Sequence, residues 1–312
     1  MKVSIIVSVY NEVLGIKKFY QSLEDELQKI KGIKYEIIFI DDGSVDGSTK
    51  ILYDFALKNK LVKVIKFSRN FGHEAAMTAG LDNATGDVLI FMDADLQHPP
   101  KLIKSIIDEI NDDYDIITMV REKNKSAGFI KNITSTGFYH VINKLSDFKL
   151  KPNVSDFFAI TKEVQDCLRK NYRDKIRFLR GYVQNIGYNK TSISYEADER
   201  IAGESHYSIK KLFKFSINSI MCFSTVPAKL GIYVGNITLL ISLIILTVNL
   251  INRSFSKGYN LLILIVLFMF SILFYIIGIL GYYISILFSE IKDNPIYIIE
   301  ETRNFDTKDK EI

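Results

Sequence analysis

The chain has 312 residues, enough for one large or two modest domains, and 48% of them are hydrophobic, giving a mean hydropathy of +0.11 that is high for a wholly soluble protein. Its net charge of +4 is small, and the basic residues gather in one stretch rather than along an aromatic-studded stripe, which argues against nucleic-acid binding. Cys167 and Cys222 lie far apart without metal-ligand spacing, so neither a zinc site nor a disulfide framework is suggested and a reducing cytosol suits the chain.

The first half alternates short β-rich runs with helical segments. "VSIIVSV" (Val3 to Val9), "YEIIFI" (Tyr35 to Ile40), "VKVIKF" (Val62 to Phe67), "VLIFM" (Val88 to Met92) and "DIITMV" (Asp115 to Val120) are nearly continuous apolar runs. Such runs predict strands covered on both faces, hence an α/β fold with a mostly parallel sheet. The N-terminal "MKVSIIVSVYNE" is a first strand rather than a signal peptide, because its apolar run is short and no small-residue cleavage site follows. In such sheets ligands bind beyond the carboxyl ends of the strands. There the sequence collects "YNE", "DDGSVDGS", "SRNFGHE" and "DADLQ", all on one expected rim.

Further along, "REKNKSAGFIKN" (Arg121 to Asn132) reads as a basic loop before a helical "ITSTGFYHVINKLS". "SIKKLFKFSINSIMCF" (Ser208 to Phe223) carries apolar residues at roughly helical spacing beside lysines, as in a helix lying at a lipid surface or, alternatively, an amphipathic core helix. Between Lys229 and Arg253 stand 23 residues without a charge, and between Lys257 and Glu290 stand 32 more. Either stretch is long enough to cross a hydrocarbon core of about 30 Å, which predicts two transmembrane helices joined by the tight turn "RSFSKG". Both outer ends then share a compartment, and Lys210, Lys211, Lys214, Lys229, Lys292 and Arg303 favour a cytoplasmic body at the cell membrane. The charged tail from Glu300 is expected to be mobile. The domain organisation so read is a catalytic domain over 1–207, a juxtamembrane helix over 208–228, a transmembrane hairpin over 229–290 and a tail over 291–312.

The "DADLQ" segment is the most informative. Asp93 and Asp95 end an apolar strand, and two carboxylates one residue apart can face one hard cation, with Gln97 adding an oxygen; Mg2+ or Mn2+ typically takes one or two carboxylates plus substrate phosphates. The competing reading is a turn with an aspartate helix cap. "DDGSVDGS" likewise is either a capped turn or a place where Asp41 and Asp42 meet the base and ribose of a nucleotide. No phosphate-cradling glycine fingerprint follows any strand, so metal rather than a glycine loop must manage a diphosphate.

Taken in order, "SIIVSVYNE", "DDGSVDGS", "RNFGHEAAMTAGLDNATGD", "MDADLQHPP", "FLRG" and "RIAGESHYSIKKL" resemble family 2 glycosyltransferases of the polyisoprenyl-phosphate branch. The resemblance covers about residues 1–225, and the paired C-terminal spans are similar to those of the bactoprenol glucosyl transferases. It implies a GT-A fold, a nucleotide-sugar donor such as a UDP-hexose, a divalent metal, and inverting transfer onto undecaprenyl or another polyprenyl phosphate. It further implies that Glu12, Asp41, Asp42, Asp46 and Asp93 serve the nucleotide sugar and that Asp93, Asp95 and Gln97 hold the metal. Asp156 would stand near the acceptor, and Arg180, Arg200, Ser205 and Lys211 would close over the phosphates. Asp156, Arg180, Arg200 and Lys211 are thus the catalytic candidates.

Two departures stand out. Ser8 occupies a position where the family often has proline, and Phe158 replaces an arginine usually found after the acceptor aspartate. Arg121, Lys123, Lys125 and Lys131 are candidates to supply the missing phosphate or structural contact, Arg121 and Lys131 being counted with Arg200, Ser205 and Lys211 at the acceptor phosphate; the alternative is a loop of solvated charges. Glucose is the preferred sugar, and a homo-oligomer is implied by resemblance only. Rival readings are a processive polysaccharide synthase, disfavoured by the absence of tryptophan, and an inactive membrane scaffold, disfavoured by the intact "DAD" and "AGES" segments.

Overall fold

The computed structural model describes residues 1–122, 151–174, 177–196, 259–292 and 294–305, with single helical positions between 237 and 247. The five apolar runs form β1 (Lys2–Val9), β2 (Lys34–Asp41), β3 (Val62–Phe67), β4 (Val88–Asp93) and β5 (Ile116–Arg121). Between them lie α1 (Ile16–Lys29), α2 (Ser48–Lys58), α3 (His73–Asn83) and α4 (Ile103–Asn111). The chain continues through β6 (Val154–Thr161), α5 (Lys162–Asn171), α6 (Leu179–Asn185), β7 (Lys190–Tyr195), α7 (Tyr259–Ile291) and β8 (Ile299–Arg303).

Eight strands make one sheet in the order β7-β5-β6-β4-β1-β2-β3-β8. Strand β1 runs parallel to both β2 and β4, β2 to β3, and β5 to β7, whereas β6 lies antiparallel between β4 and β5 and β8 runs antiparallel along β3. The expectation of a mostly parallel sheet holds, as a GT-A-like α/β fold. Its carboxyl ends gather on one rim, as the rule for open α/β sheets requires.

The central strands β1, β2 and β4 are largely apolar and buried, which calls for cover on both faces. On one face α1 buries Ile16, Phe19, Leu23 and Leu27, a helical stripe that joins Val3, Ile5, Val7, Ile37, Phe39 and Ile90 in one core. Helix α3 is buried from Ala75 to Asp82 and built largely of small residues. A β-carbon at its Gly80 would fall 2.2 Å from Ile6 Cγ2, so only glycine permits this approach of α3 to β1.

At the end of the sheet away from the rim, Glu36 is almost fully buried. It accepts hydrogen bonds from Ser4 Oγ at 2.6 Å and the Thr85 N–H at 2.9 Å, and pairs with Lys2 at 3.1 Å and Lys63 at 3.0 Å. Burial pushes its carboxyl up, but Ser4, the Thr85 N–H and Lys63 outweigh burial and hold it down at about 2. One carboxylate therefore ties β1, β2, β3 and the turn before β4 together.

The first part of the C-terminal tail, through Phe305, is tied down rather than mobile, while residues 306–312 lie outside the described residues. Residues Val64, Ile65 and Lys66 of β3 pair with Arg303, Thr302 and Glu301 of β8. Asn304 Nδ2 donates to the carbonyls of Ala56 and Val62, each at 2.7 Å, and Tyr297 stacks on Phe67 at 5.2 Å while its hydroxyl donates to Asp82 at 2.9 Å. A charged strand is stable here because it lies at an edge, where alternate side chains face water.

The sheet and its helices, β8 included, form one unit, and α7 belongs to a second. Within α7 the stretch Phe268–Phe288 has mean hydropathy 2.1 and none of it is buried, so it is long and apolar enough to cross a membrane. Apart from helical positions at 237, 240, 241, 244 and 247, the other expected span lies outside the described residues, as does the juxtamembrane helix.

The Glu36 clamp gives a testable sign. Its folded-state pKa lies below its ordinary value of 4.5, so its stabilisation is present above 4.5 and fades as pH falls toward 2. Denaturant melts of the full chain in detergent should show Glu36→Gln less stable by about 3 kcal/mol at pH 7, with the difference from the parent shrinking as pH drops below 4.5.

Candidate active site

The rim is organised by the register between β4 and β6. Val88 pairs with Thr161 and Phe91 with Phe158, and the same register carried two residues further sets Asp93 across from Asp156. His73, the first residue of α3, stands between them: its Nδ1 lies 3.6 Å from Asp93 Oδ1 and its Nε2 lies 3.8 Å from Asp156 Oδ2. Burial lowers the pKa of this imidazole, yet Asp93, Asp156 and Glu74 together outweigh burial and raise it. Ser8, at the end of β1, donates its hydroxyl to Asp93 Oδ1 at 2.9 Å and lies 3.0 Å from His73 Nδ1. On the far side of Asp156, Arg180 Nη1 lies 3.4 Å from Asp156 Oδ1 and donates to the Val154 carbonyl at 3.0 Å.

The segment after Asp93 is a tight, buttressed turn. Leu96 takes a left-handed conformation (φ +63°), and Asp95 Oδ1 accepts the Gln97 N–H at 3.0 Å. His98, buried and stacked on Phe157 at 5.2 Å, accepts the Asp93 N–H on its Nδ1 at 2.9 Å. Burial lowers the His98 pKa against the pull of Asp93, Asp95 and Asp156, which keeps Nδ1 available as an acceptor. Gln97 Oε1 accepts from Arg121 Nη2 at 3.1 Å, which brings the end of β5 to the same turn.

Among the described residues no cluster of three or more His, Cys, Asp or Glu could hold a metal unaided. The turn instead offers the Asp93 and Asp95 carboxylates, with the Gln97 amide oxygen engaged by Arg121. This hard-oxygen set fits Mg2+ or Mn2+ when substrate phosphates complete the coordination.

At the neighbouring ends of β1, β2 and β3 the carboxylates expected at the nucleotide organise loops. Asp41 accepts the Ser44 N–H at 2.8 Å and the Thr49 hydroxyl. Asp42 accepts the Phe71 N–H at 2.7 Å, the Gly72 N–H at 2.9 Å and Asn70 Nδ2 at 2.9 Å. Burial pushes the Asp42 carboxyl up to about 6, opposed by the N–H groups of Phe71 and Gly72. Asp46 accepts the Ser48 and Val13 N–H groups at 2.9 and 3.0 Å, while the Glu12 N–H donates to Ser48 Oγ at 2.9 Å. Gly43 sits where a β-carbon would meet the Arg69 backbone at 2.5 Å, and its φ of +72° also demands glycine, so the loops after β2 and β3 can touch.

The structure thus brings Asp93, Asp95, Gln97, Arg121, Asp156 and Arg180 to one part of the rim and Glu12, Asp41, Asp42 and Asp46 to the adjoining part. Lys123, Lys125, Lys131, Arg200, Ser205 and Lys211 lie outside the described residues. Phe158 is fully buried and stacks on Phe91 at 4.5 Å, so in this chain the position serves the core. His73, Glu74 and His98 were not singled out from sequence, and Ser8 was noted only as a substitution. Their signal was present: each ends a strand or lies just beyond one, on the rim where an open α/β sheet binds ligands.

The family described as Glycosyl transferase family 2 matches residues 4–168. An uncharacterized glycosyltransferase of Bacillus subtilis strain 168, YkcC, is 38% identical over 309 residues, covering 98% of this chain and 95% of that protein. The SfII prophage-derived bactoprenol glucosyl transferase of Shigella flexneri is 34% identical over 306 residues, covering 97% and 98% respectively. Among solved structures, the crystal structure of a mycobacterial protein shares the fold with a TM-score of 0.51 at 14% identity, over 69% of this chain and 71% of that one.

His98→Phe keeps the stack on Phe157 but leaves the Asp93 N–H without its acceptor, which should cost about 1–3 kcal/mol. Thermal melts and Mn2+ titration calorimetry on the full chain should show lower stability together with weaker metal binding. Unchanged values in both would remove His98 from the support of this turn.

Proposed function

Because this chain belongs to glycosyl transferase family 2 and is a glycosyltransferase, we propose that it moves a hexose, glucose from UDP-glucose by preference, onto undecaprenyl or a related polyprenyl phosphate with inversion at the sugar carbon. The observation that carries the reading is the meeting of the Asp93–Asp95 turn after β4 with Asp156 on the adjoining β6 and its partner Arg180 on α6, the first suited to a donor diphosphate and the second to an acceptor phosphate. The near full-length likeness to a protein named for bactoprenol supports the lipid acceptor.

An acceptor phosphate monoester has a second pKa of about 6 and is largely dianionic at neutral pH. Its oxygen attacks the anomeric carbon from the face opposite the nucleotide; the new bond is oxygen to sugar carbon, the broken one is sugar carbon to diphosphate, and the nucleoside diphosphate leaves with the electron pair. No proton need be removed from such a nucleophile, so Asp156 orients the acceptor end and its neighbours rather than serving as a strong base. Repulsion between two anionic phosphates is the main obstacle, and Arg180, with Arg200 and Lys211 from the following segment, offsets it electrostatically. When bound, Mg2+ or Mn2+ held by Asp93, Asp95 and Gln97 would neutralise charge on the leaving diphosphate. Glu12, Asp41, Asp42 and Asp46 frame the nucleotide pocket, in part by freezing the loops around it.

Chain topology and the charge pattern support a membrane placement. The chain leaves the sheet after β7 and re-enters it as β8, so any crossings between must be even in number. With Phe268–Phe288 as one crossing, the uncharged stretch at 230–252 is its natural partner, and the catalytic body stays on the cytoplasmic side at the cell membrane.

The test is transfer from labelled UDP- and GDP-sugars to undecaprenyl phosphate in membranes containing the full chain, with and without EDTA. One labelled, EDTA-sensitive lipid product is the expected result, whereas no product with any donor from folded, inserted protein would contradict the assignment. Asp93→Ala and Asp95→Ala should each lower turnover by about a hundredfold or more. Asp93→Ala turning over at the parent rate would exclude the assigned role of that carboxylate.

A further inference from the structure

Helix α6 carries Arg180 but is poorly equipped to hold it. It has seven residues, its N-cap position is Phe178, and no side chain of its own caps it. So short a helix is unstable without outside support. That support comes from α3: Glu74 Oε2 accepts the N–H of Leu179, the first residue of α6, at 2.8 Å. The next residue is Arg180, whose guanidinium lies over the Phe178 ring at 5.1 Å and reaches Asp156 and the Val154 carbonyl. Glu74 is itself held in place, because Asp42 binds the N–H groups of Phe71 and Gly72 immediately before α3.

We propose that Glu74 is the positioning residue for Arg180, fixing the start of α6 so that the guanidinium meets both Asp156 and the incoming acceptor phosphate. This rests on the transferase reading above and adds to it a residue that need not touch either substrate. The groups facing Glu74 are His73 beside it on α3, Asp156 on β6, and the Leu179 N–H and Arg180 on α6. Burial and the Asp156 charge push the Glu74 carboxyl up to about 7, against the pull of Leu179, His73 and Arg180. Protonated, the group still offers an oxygen to Leu179 and adds no negative charge beside an anionic acceptor. Ionised, it draws on Arg180 and repels the lipid phosphate, so productive acceptor capture weakens as pH rises through about 7.

The experiment compares the full-length parent, Glu74→Ala and Glu74→Gln in transfer to undecaprenyl phosphate, with both KM values, kcat and a pH profile, and with melting temperatures for all three. Glu74→Ala should raise the acceptor KM by about tenfold with little change in donor KM, as loss of one positioning hydrogen bond predicts. Glu74→Gln keeps an oxygen for Leu179 and should recover to within about threefold of the parent, while the fall in acceptor kcat/KM near pH 7 disappears. An acceptor KM unchanged in Glu74→Ala, or a Glu74→Gln that retains the parent pH profile, overturns the inference. If Glu74→Ala does not fold, the Glu74→Gln profile and acceptor KM decide alone. A parent that transfers to no lipid phosphate refutes the transferase reading and this inference with it; a parent that transfers while the variants match it refutes only the role of Glu74.

Discussion

Asp93 and Asp156 are brought side by side by a single antiparallel strand, and the chemistry of the rim is arranged around that closeness. Strand β6 runs against β4 and β5, so its beginning meets their ends. Two carboxylates several ångströms apart repel by on the order of 2 kcal/mol at the effective dielectric of a protein surface. The fold answers with His73 between them, the Ser8 hydroxyl on Asp93 and Arg180 on Asp156. The same negative focus that costs stability is what a divalent cation and the phosphates it carries would relieve.

Around this focus, polar groups are spent on rigidity. Asp41, Asp42 and Asp46 satisfy backbone N–H groups in the loops after β1, β2 and β3, and the close approach at Gly43 locks two of those loops together. Asp42 illustrates the trade: burial pushes its carboxyl up to about 6, yet three donors depend on it for the path into α3, where His73 and Glu74 begin. A pocket so framed loses little order when substrate binds, which is the preorganisation that catalysis by positioning and electrostatics requires. At the opposite end of the sheet Glu36 ties three strands and a turn with one buried carboxylate, leaving the rim to serve binding.

The sequence was legible where local pattern decides. Continuous apolar runs identified β1 to β5, and polar residues at their ends identified the rim, because burial on both faces leaves only strand ends for polar chemistry. It was less legible where long-range pairing decides. "VSDFFAIT" was noticed for its aspartate rather than as the strand inserted between β4 and β5, and "IEETR" looked like a solvated tail because an edge strand needs little apolar content. Glu74 and His98 act through groups that are distant in sequence or buried in a turn, so spacing alone does not reveal them. Phe158 was noted as a departure that leaves one phosphate or structural contact missing or supplied from elsewhere; its side chain stacks on Phe91 in the core.

The central claim is that one rim brings a metal-bound donor diphosphate and a lipid phosphate together. Phosphorus NMR of the full chain in lipid nanodiscs, with Mn2+, the nucleoside diphosphate and undecaprenyl phosphate, tests it most directly. The diphosphate broadens with Mn2+ in any case, and the undecaprenyl phosphate signal should broaden with it in the parent but markedly less in the Asp93→Asn, Asp95→Asn double variant. A lipid phosphate signal left sharp while the diphosphate broadens would place the acceptor elsewhere and contradict the account.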